Sequence, residues 1–95
     1  MLGGAGNDSI LIDDSIVLGL IGVDGGTGDD EIDIVNNSAI LNNVLGDSGD
    51  DIINIVDSSI GGDVDGGTED DTITFNSGTI SGNEIGDTGE DTIDL

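Results

Sequence analysis

A glycine-rich stretch ending in aspartate, followed by a short run with apolar residues at alternate positions, occurs five times in this chain. The copies run Gly3 to Ile12, Gly25 to Ile34, Gly46 to Ile55, Gly66 to Phe75 and Gly86 to Leu95, and they start 22, 21, 20 and 20 residues apart. A fixed period near 20 constrains the fold more than any local propensity. A unit of this size cannot bury its apolar face alone, so copies must stack on one another. Residues 1–95 therefore read as a single repeat domain of about five coils, and as a piece of a longer array.

After each closing aspartate the apolar residues alternate: Ile10 and Ile12, Ile32 and Ile34, Ile53 and Ile55, Ile73 and Phe75, Ile93 and Leu95. Period two predicts a strand with one buried face. A polar second turn follows at Asp13-Asp14-Ser15, Asn36-Asn37-Ser38, Asp57-Ser58-Ser59 and Asn76-Ser77-Gly78. Side chains of these types hydrogen-bond nearby backbone. A shorter strand is predicted next, with Ile40 and Val44, Ile60 and Val64, then Ile80. Gly62 and Gly82 stand where a small residue would fit between opposing strands. The fold class is all-β, a parallel β-solenoid or β-roll with two short strands per coil. No stretch sustains a helical period, and recurrence of one turn favours stacked parallel strands over a meander of hairpins.

Two places break the pattern. Glu84 aligns with Val44 and Val64, and burying it unpaired would be costly, so the last coil is expected to distort or to turn Glu84 outward. The first unit carries Ile16, Val17, Leu18, Leu20, Ile21 and Val23, too many apolar residues for one face. It is either a bulged coil or an end that contacts another chain.

Charge then narrows the function. The chain has 22 acidic residues and no Lys, Arg or His, for a formal charge of -22. Nucleic acid and anionic membranes both need a basic footprint, so neither is an expected partner. The apolar content of 34%, placed periodically, argues for an ordered solenoid rather than a disordered acidic tract. No side chain can neutralise these carboxylates. Without Cys, His, Lys or Arg there is no ordinary nucleophile–base pair, and the acids form ranks instead of one isolated pair, so an enzyme is not expected. The apolar run from Ile16 to Ile21 is too short to span a bilayer, and no basic stretch after Met1 suggests a signal peptide. Cysteine is absent, so no disulfide staples the chain.

Oxygen ligands without nitrogen or sulfur select Ca²⁺ or Mg²⁺, and Ca²⁺ accepts irregular sets of carboxylates and carbonyls. Numbered from its first glycine, each copy has glycine at positions one, two and four or a substitute, and aspartate at position six. The pattern Gly-Gly-x-Gly-x-Asp-x-Ile-x resembles the calcium-binding nonapeptide of the RTX family, the β-roll of secreted bacterial toxins, proteases, lipases and adhesins. Gly3 to Leu11 and Gly25 to Asp33 match it fully. Asp47 and Asp87 replace the second glycine in two copies, and Glu69 replaces the third in another.

The resemblance implies a right-handed β-roll, secretion to the medium or cell surface, and folding that depends on several Ca²⁺ ions. It implies as ligands Asp8, Asp30, Asp51, Asp71 and Asp91. With them it implies the carbonyls of Gly3, Gly25, Gly46, Gly66 and Gly86 at position one, and of Gly6, Gly28, Gly49 and Gly89 at position four. The second turn lacks the glycines, so metal is expected along one edge only, as in the calcium-bound solenoids of some RTX adhesins. The position-five rank Asn7, Asp29, Asp50, Asp70 and Glu90 reads as a solvated face. The expected function is a Ca²⁺-dependent structural module. The alternative is a binding or self-assembly module, stacking end to end or contacting ice or glycan through Thr27, Thr68 and Thr88. Ala5 and Ser48 interrupt that threonine rank, and its charged neighbours should order ice-like water poorly.

Overall fold

The computed structural model describes residues 1–94; Leu95, placed inward by the alternation, lies outside the described residues. The strands are β1 (Leu2–Ala5), β2 (Ser9–Asp13), β3 (Ile16–Val17), β4 (Val23–Thr27), β5 (Glu31–Val35), β6 (Ala39–Ile40), β7 (Val44–Ser48), β8 (Ile52–Ile60), β9 (Val64–Thr68), β10 (Thr72–Ile80), β11 (Glu84–Asp87) and β12 (Thr92–Asp94). Every pairing is parallel and joins residues 20 to 23 apart, so each coil lies on the next. The molecule is a β-solenoid of about five turns, with no helix among the described residues. One sheet runs β1-β4-β7-β9-β11, and the other runs β12-β10-β8-β5-β2, with β6 beside β8 and β3 beside β6. Where two strands per coil are expected, the first two coils have three segments. In the third and fourth coils the last two segments fuse into β8 and β10, nine residues each.

Alternation decides the core. Ile10, Ile12, Ile32, Ile34, Ile53, Ile55 and Ile73 are buried, facing Val23, Val44 and Val64 of the first sheet and Ile40 and Ile60 of the third segment. Phe75 and Ile80 are partly buried against them. Ile93, expected inward, is 40% exposed because β12 is an edge strand that pairs with β10 alone.

The glycine-rich stretch departs from expectation. Its first three residues are strand, not turn: Val23, Asp24, Gly25, Gly26 and Thr27 form β4, and Val23 and Gly25 face inward. Position one is glycine for space. A Cβ on Gly25 would lie 2.6 Å from Asp30 Oδ2 and 2.9 Å from the Gly46 carbonyl. Positive φ is confined to positions two and four, and at position four Gly28 has φ 117° and Glu69 has φ 78°. A non-glycine residue in that region costs roughly 1–2 kcal/mol. Glu69→Gly is therefore expected to stabilise the protein by about 1 kcal/mol, read as a higher urea midpoint at unchanged slope.

The second turn is one residue longer in the second coil than in the coils on either side. Counting turn residues aligns Ser38 with Ser59, but Ala39 pairs with Ser59 and Ile40 with Ile60. The extra residue is absorbed by Asn36 and Asn37, both left-handed at φ 57° and 61°, a conformation that asparagine tolerates. At the third corner, the first coil has five residues (18–22) between Val17 and Val23, where the second has three (41–43) between Ile40 and Val44. The first coil is bulged at this corner. The tightness at Gly62 and Gly82 comes from the coil beneath, from Asn43 Oδ1 and Asp63 Oδ1, and not from an opposing strand.

Glu84 neither distorts its coil nor turns away. β11 keeps register, with Glu84 on Val64 and Ile85 on Asp65. A one-residue slip would send every side chain of the strand to the opposite face, so pairing holds Glu84 half-buried, its Oε1 enclosed without a hydrogen-bond partner. Burial raises its pKa.

Candidate metal-binding edge

Strands pair their backbone along the sheets, but at the corners backbone carbonyls take only some of the N–H groups, and unpaired buried N–H groups are costly. Side-chain oxygens fill that need from coil to coil. At the edge after the glycine stretch, Asp8 N–H donates to Asp30 Oδ1 at 2.8 Å, and Asp30 N–H to Asp51 Oδ1 at 2.8 Å. Asp51 N–H donates to Asp71 Oδ1 at 2.9 Å and Asp71 N–H to Asp91 Oδ1 at 3.0 Å. All five position-six aspartates thus form one inner ladder. Asp30, Asp51 and Asp71 are at most 2% exposed.

A second ladder runs beside it in the opposite sense. Asp29 N–H donates to Asn7 Oδ1, Asp50 N–H to Asp29 Oδ1, Asp70 N–H to Asp50 Oδ1 and Glu90 N–H to Asp70 Oδ1, all within 3.0 Å. These exposed side chains cap backbone rather than forming only a solvated face. The second turn has a serine ladder: Ser15 N–H donates to Ser38 Oγ and Ser38 N–H to Ser58 Oγ. The third corner repeats the device with Asp63 N–H on Asn43 Oδ1 and Asn83 N–H on Asp63 Oδ1.

Of the ladders among the described residues, the inner one leaves enclosed oxygens over. The second oxygens Oδ2 of Asp8, Asp30, Asp51 and Asp71 are enclosed without any hydrogen-bond donor. Each points at the position-one glycine of its own coil. At Gly25 the Asp30 Oδ2 and the Gly46 carbonyl both lie within 3 Å of where a Cβ would be, and Gly3 and Gly46 repeat the arrangement with Asp8 and Asp51. Position-one glycines and aspartates are therefore brought together. Around position four, a Cβ on Gly28, Gly49 or Gly89 would meet first the position-four carbonyls of Gly6, Gly28 and Glu69 in the coil before. Among the described residues no three acidic side chains converge on one point. A metal here would be held by one or two carboxylate oxygens and backbone carbonyls. That all-oxygen set suits a hard divalent cation, and its irregularity suits Ca²⁺ over Mg²⁺.

The electrostatics agree with an uncompensated ladder. Burial, opposed by the Asp30 N–H and reinforced by Asp71 and Asp30, pushes Asp51 up to about 6. Burial, opposed by the Asp51 N–H and reinforced by Asp91, pushes Asp71 up to about 6. On the outer face of the first sheet, burial and then Asp47 raise Asp24, while burial and then Asp87 raise Asp65. Asp24 Oδ1 is enclosed without a partner. This outer zigzag escapes a reading centred on position six. Its signal is an acid one residue before Gly25 and Gly66, where other copies carry Leu2, Leu45 and Ile85.

A pH dependence follows. Carboxylates raised in the folded state stabilise it when protonated, fully below the ordinary value of 3.8 and not above about 6. Metal-free protein is expected to gain strand signal and melt at higher temperature as the pH falls from 7 to 4, read by far-UV circular dichroism in chelator.

No protein-family model, curated protein or solved structure matches the chain.

Proposed function

We propose that this chain is a Ca²⁺-dependent structural module of a secreted or cell-surface protein, built like the RTX β-rolls it resembles, with the ions along one edge. The observation that carries the reading is the row of buried Asp Oδ2 atoms without donors in a chain with no Lys, Arg or His. Stacked carboxylates about 4.8 Å apart repel by about 3 kcal/mol per neighbouring pair at an effective dielectric near 20. Asp8, Asp30, Asp51, Asp71 and Asp91, with the carbonyls of Gly25, Gly46, Gly66 and Gly86, are the residues that would hold the metal. A bound divalent cation supplies the positive charge the chain lacks. The residues do the rest. Position-one glycines keep space at the ladder, the Oδ1 atoms fix coil spacing through backbone N–H groups, and the isoleucines bury once the coils close. Binding and folding are then one event.

The test is a Ca²⁺ titration of chelator-treated protein, followed by circular dichroism and calorimetry. A disordered spectrum becoming strand-rich near millimolar Ca²⁺ is expected. A strand-rich spectrum indifferent to chelator, with no heat of binding, would sink the reading.

A further inference from the structure

The outer face of the first coil differs from that of the second. Leu2, Leu11 and Ile16 are 63%, 64% and 67% exposed, and in the second coil the same register positions are Asp24, Asp33 and Ala39. The corner from 18 to 22, two residues longer than that of the second coil, carries Leu18 at 68%, Leu20 at 94% and Ile21 at 55% exposure. This loop is held in place, not loose. Leu41 N–H donates to the Val17 carbonyl, Val23 N–H to the Asn43 carbonyl, and Asn42 Nδ2 to the Gly19 carbonyl. Gly22 lies flat on the Asn43 backbone, where a Cβ would collide. A fixed apolar ridge of this kind is unusual on a monomer, and its order removes one cost of association.

Charge is segregated from the ridge. Residues 1–23 hold three of the 22 acids, Asp8, Asp13 and Asp14, while the rest stand on the following coils. We propose that this lateral collar, centred on Leu18, Leu20 and Ile21, is a self-association surface that joins two copies about a two-fold axis with their acidic coils pointing apart. A two-fold contact places the same patch on both sides, so it brings apolar against apolar with few charges nearby. A side-by-side parallel pair would instead align acidic coil with acidic coil. A basic partner would be drawn to the carboxylates of the later coils, away from the collar, and anionic lipid would be repelled. The collar lies on the outer faces, so stacking a further coil on the end of the solenoid would leave it uncovered. The inference does not rest on calcium.

The experiment is sedimentation velocity of the full chain from about 10 µM to 1 mM, in calcium, at low and high NaCl. A monomer–dimer equilibrium that strengthens with salt is expected. Leu20→Ser with Ile21→Ser should weaken it at least about tenfold at unchanged circular dichroism. Leu18→Ser alone should weaken it less. Ile52→Ser, an exposed apolar residue of the third coil, should leave it unchanged. A monomer throughout, a dimer indifferent to the loop substitutions, or loop-dependent co-sedimentation with phosphatidylcholine vesicles in place of dimerisation would each overturn the proposal. The same spectra recorded in chelator report separately on the calcium reading.

Discussion

Gly46→Ala is expected to cost about 3 kcal/mol of stability in calcium, whereas Gly19→Ala should change it by less than about 0.5 kcal/mol. The two substitutions are chemically identical and neither glycine has positive φ, so backbone freedom cannot explain a difference. Space can. A Cβ on Gly46 would overlap Asp51 Oδ2 and the carbonyl of Gly66, and one of these is backbone of the next coil. The carbonyl cannot swing away without opening the first sheet between β7 and β9. A Cβ on Gly19 meets nothing within 4 Å. The measurement is the urea midpoint of each variant at saturating Ca²⁺, with calorimetry to count ions. Gly46→Ala should also lose ion binding, because the added methyl fills the cradle between carboxylate and carbonyl. Equal midpoints for the two variants would show that position one is not packed as described.

That contrast also marks what the sequence reveals and what it hides. The period of 20 to 22 and the alternation after each aspartate make stacked coils and the inward isoleucines legible, because parallel stacking repeats one environment at one position. Position six is legible as a repeated acidic rank for the same reason, but the burial of Asp30, Asp51 and Asp71 is not. The reason for glycine at position one is not. Glycine-rich composition suggests flexible φ, and only three dimensions show that the aspartate five residues later occupies the missing side chain's place. Asn36 and Asn37 hide a one-residue register change, because consecutive left-handed asparagines absorb an insertion that a count of turn residues assigns elsewhere. Glu84 is misjudged in a third way. Its burial cost is real, but the backbone pairing of β11 with β9 fixes its side. A single unfavourable residue does not outweigh a strand's register.

Asp51→Asn should act with opposite sign in the two states of the protein. Asparagine keeps the Oδ1 acceptor that takes the Asp30 N–H at 2.8 Å. Its amide replaces Oδ2 at the position-one glycine, where the Gly66 carbonyl also faces. One negative charge disappears from between Asp30 and Asp71. Without calcium at pH 7 that removes the cost of holding the charge there, and the variant should gain about 3 kcal/mol, the equivalent of the rise of Asp51 from 3.8 to about 6, visible as residual strand signal where the parent chain has little. With calcium it removes a ligand oxygen from the middle of the ladder. Apparent affinity should then fall at least about tenfold, roughly 1.4 kcal/mol, with one fewer ion bound. Acid supplies an internal control. Asp51 is pushed up to about 6, so at pH 4 the parent chain already carries the proton that the substitution imitates, and the metal-free difference should vanish. A substitution that stabilises at pH 7 in chelator, does nothing at pH 4 and weakens calcium binding is the behaviour of a carboxylate kept for its charge at a cost to the empty fold. The same sign in calcium and in chelator would mean that Asp51 serves backbone spacing alone.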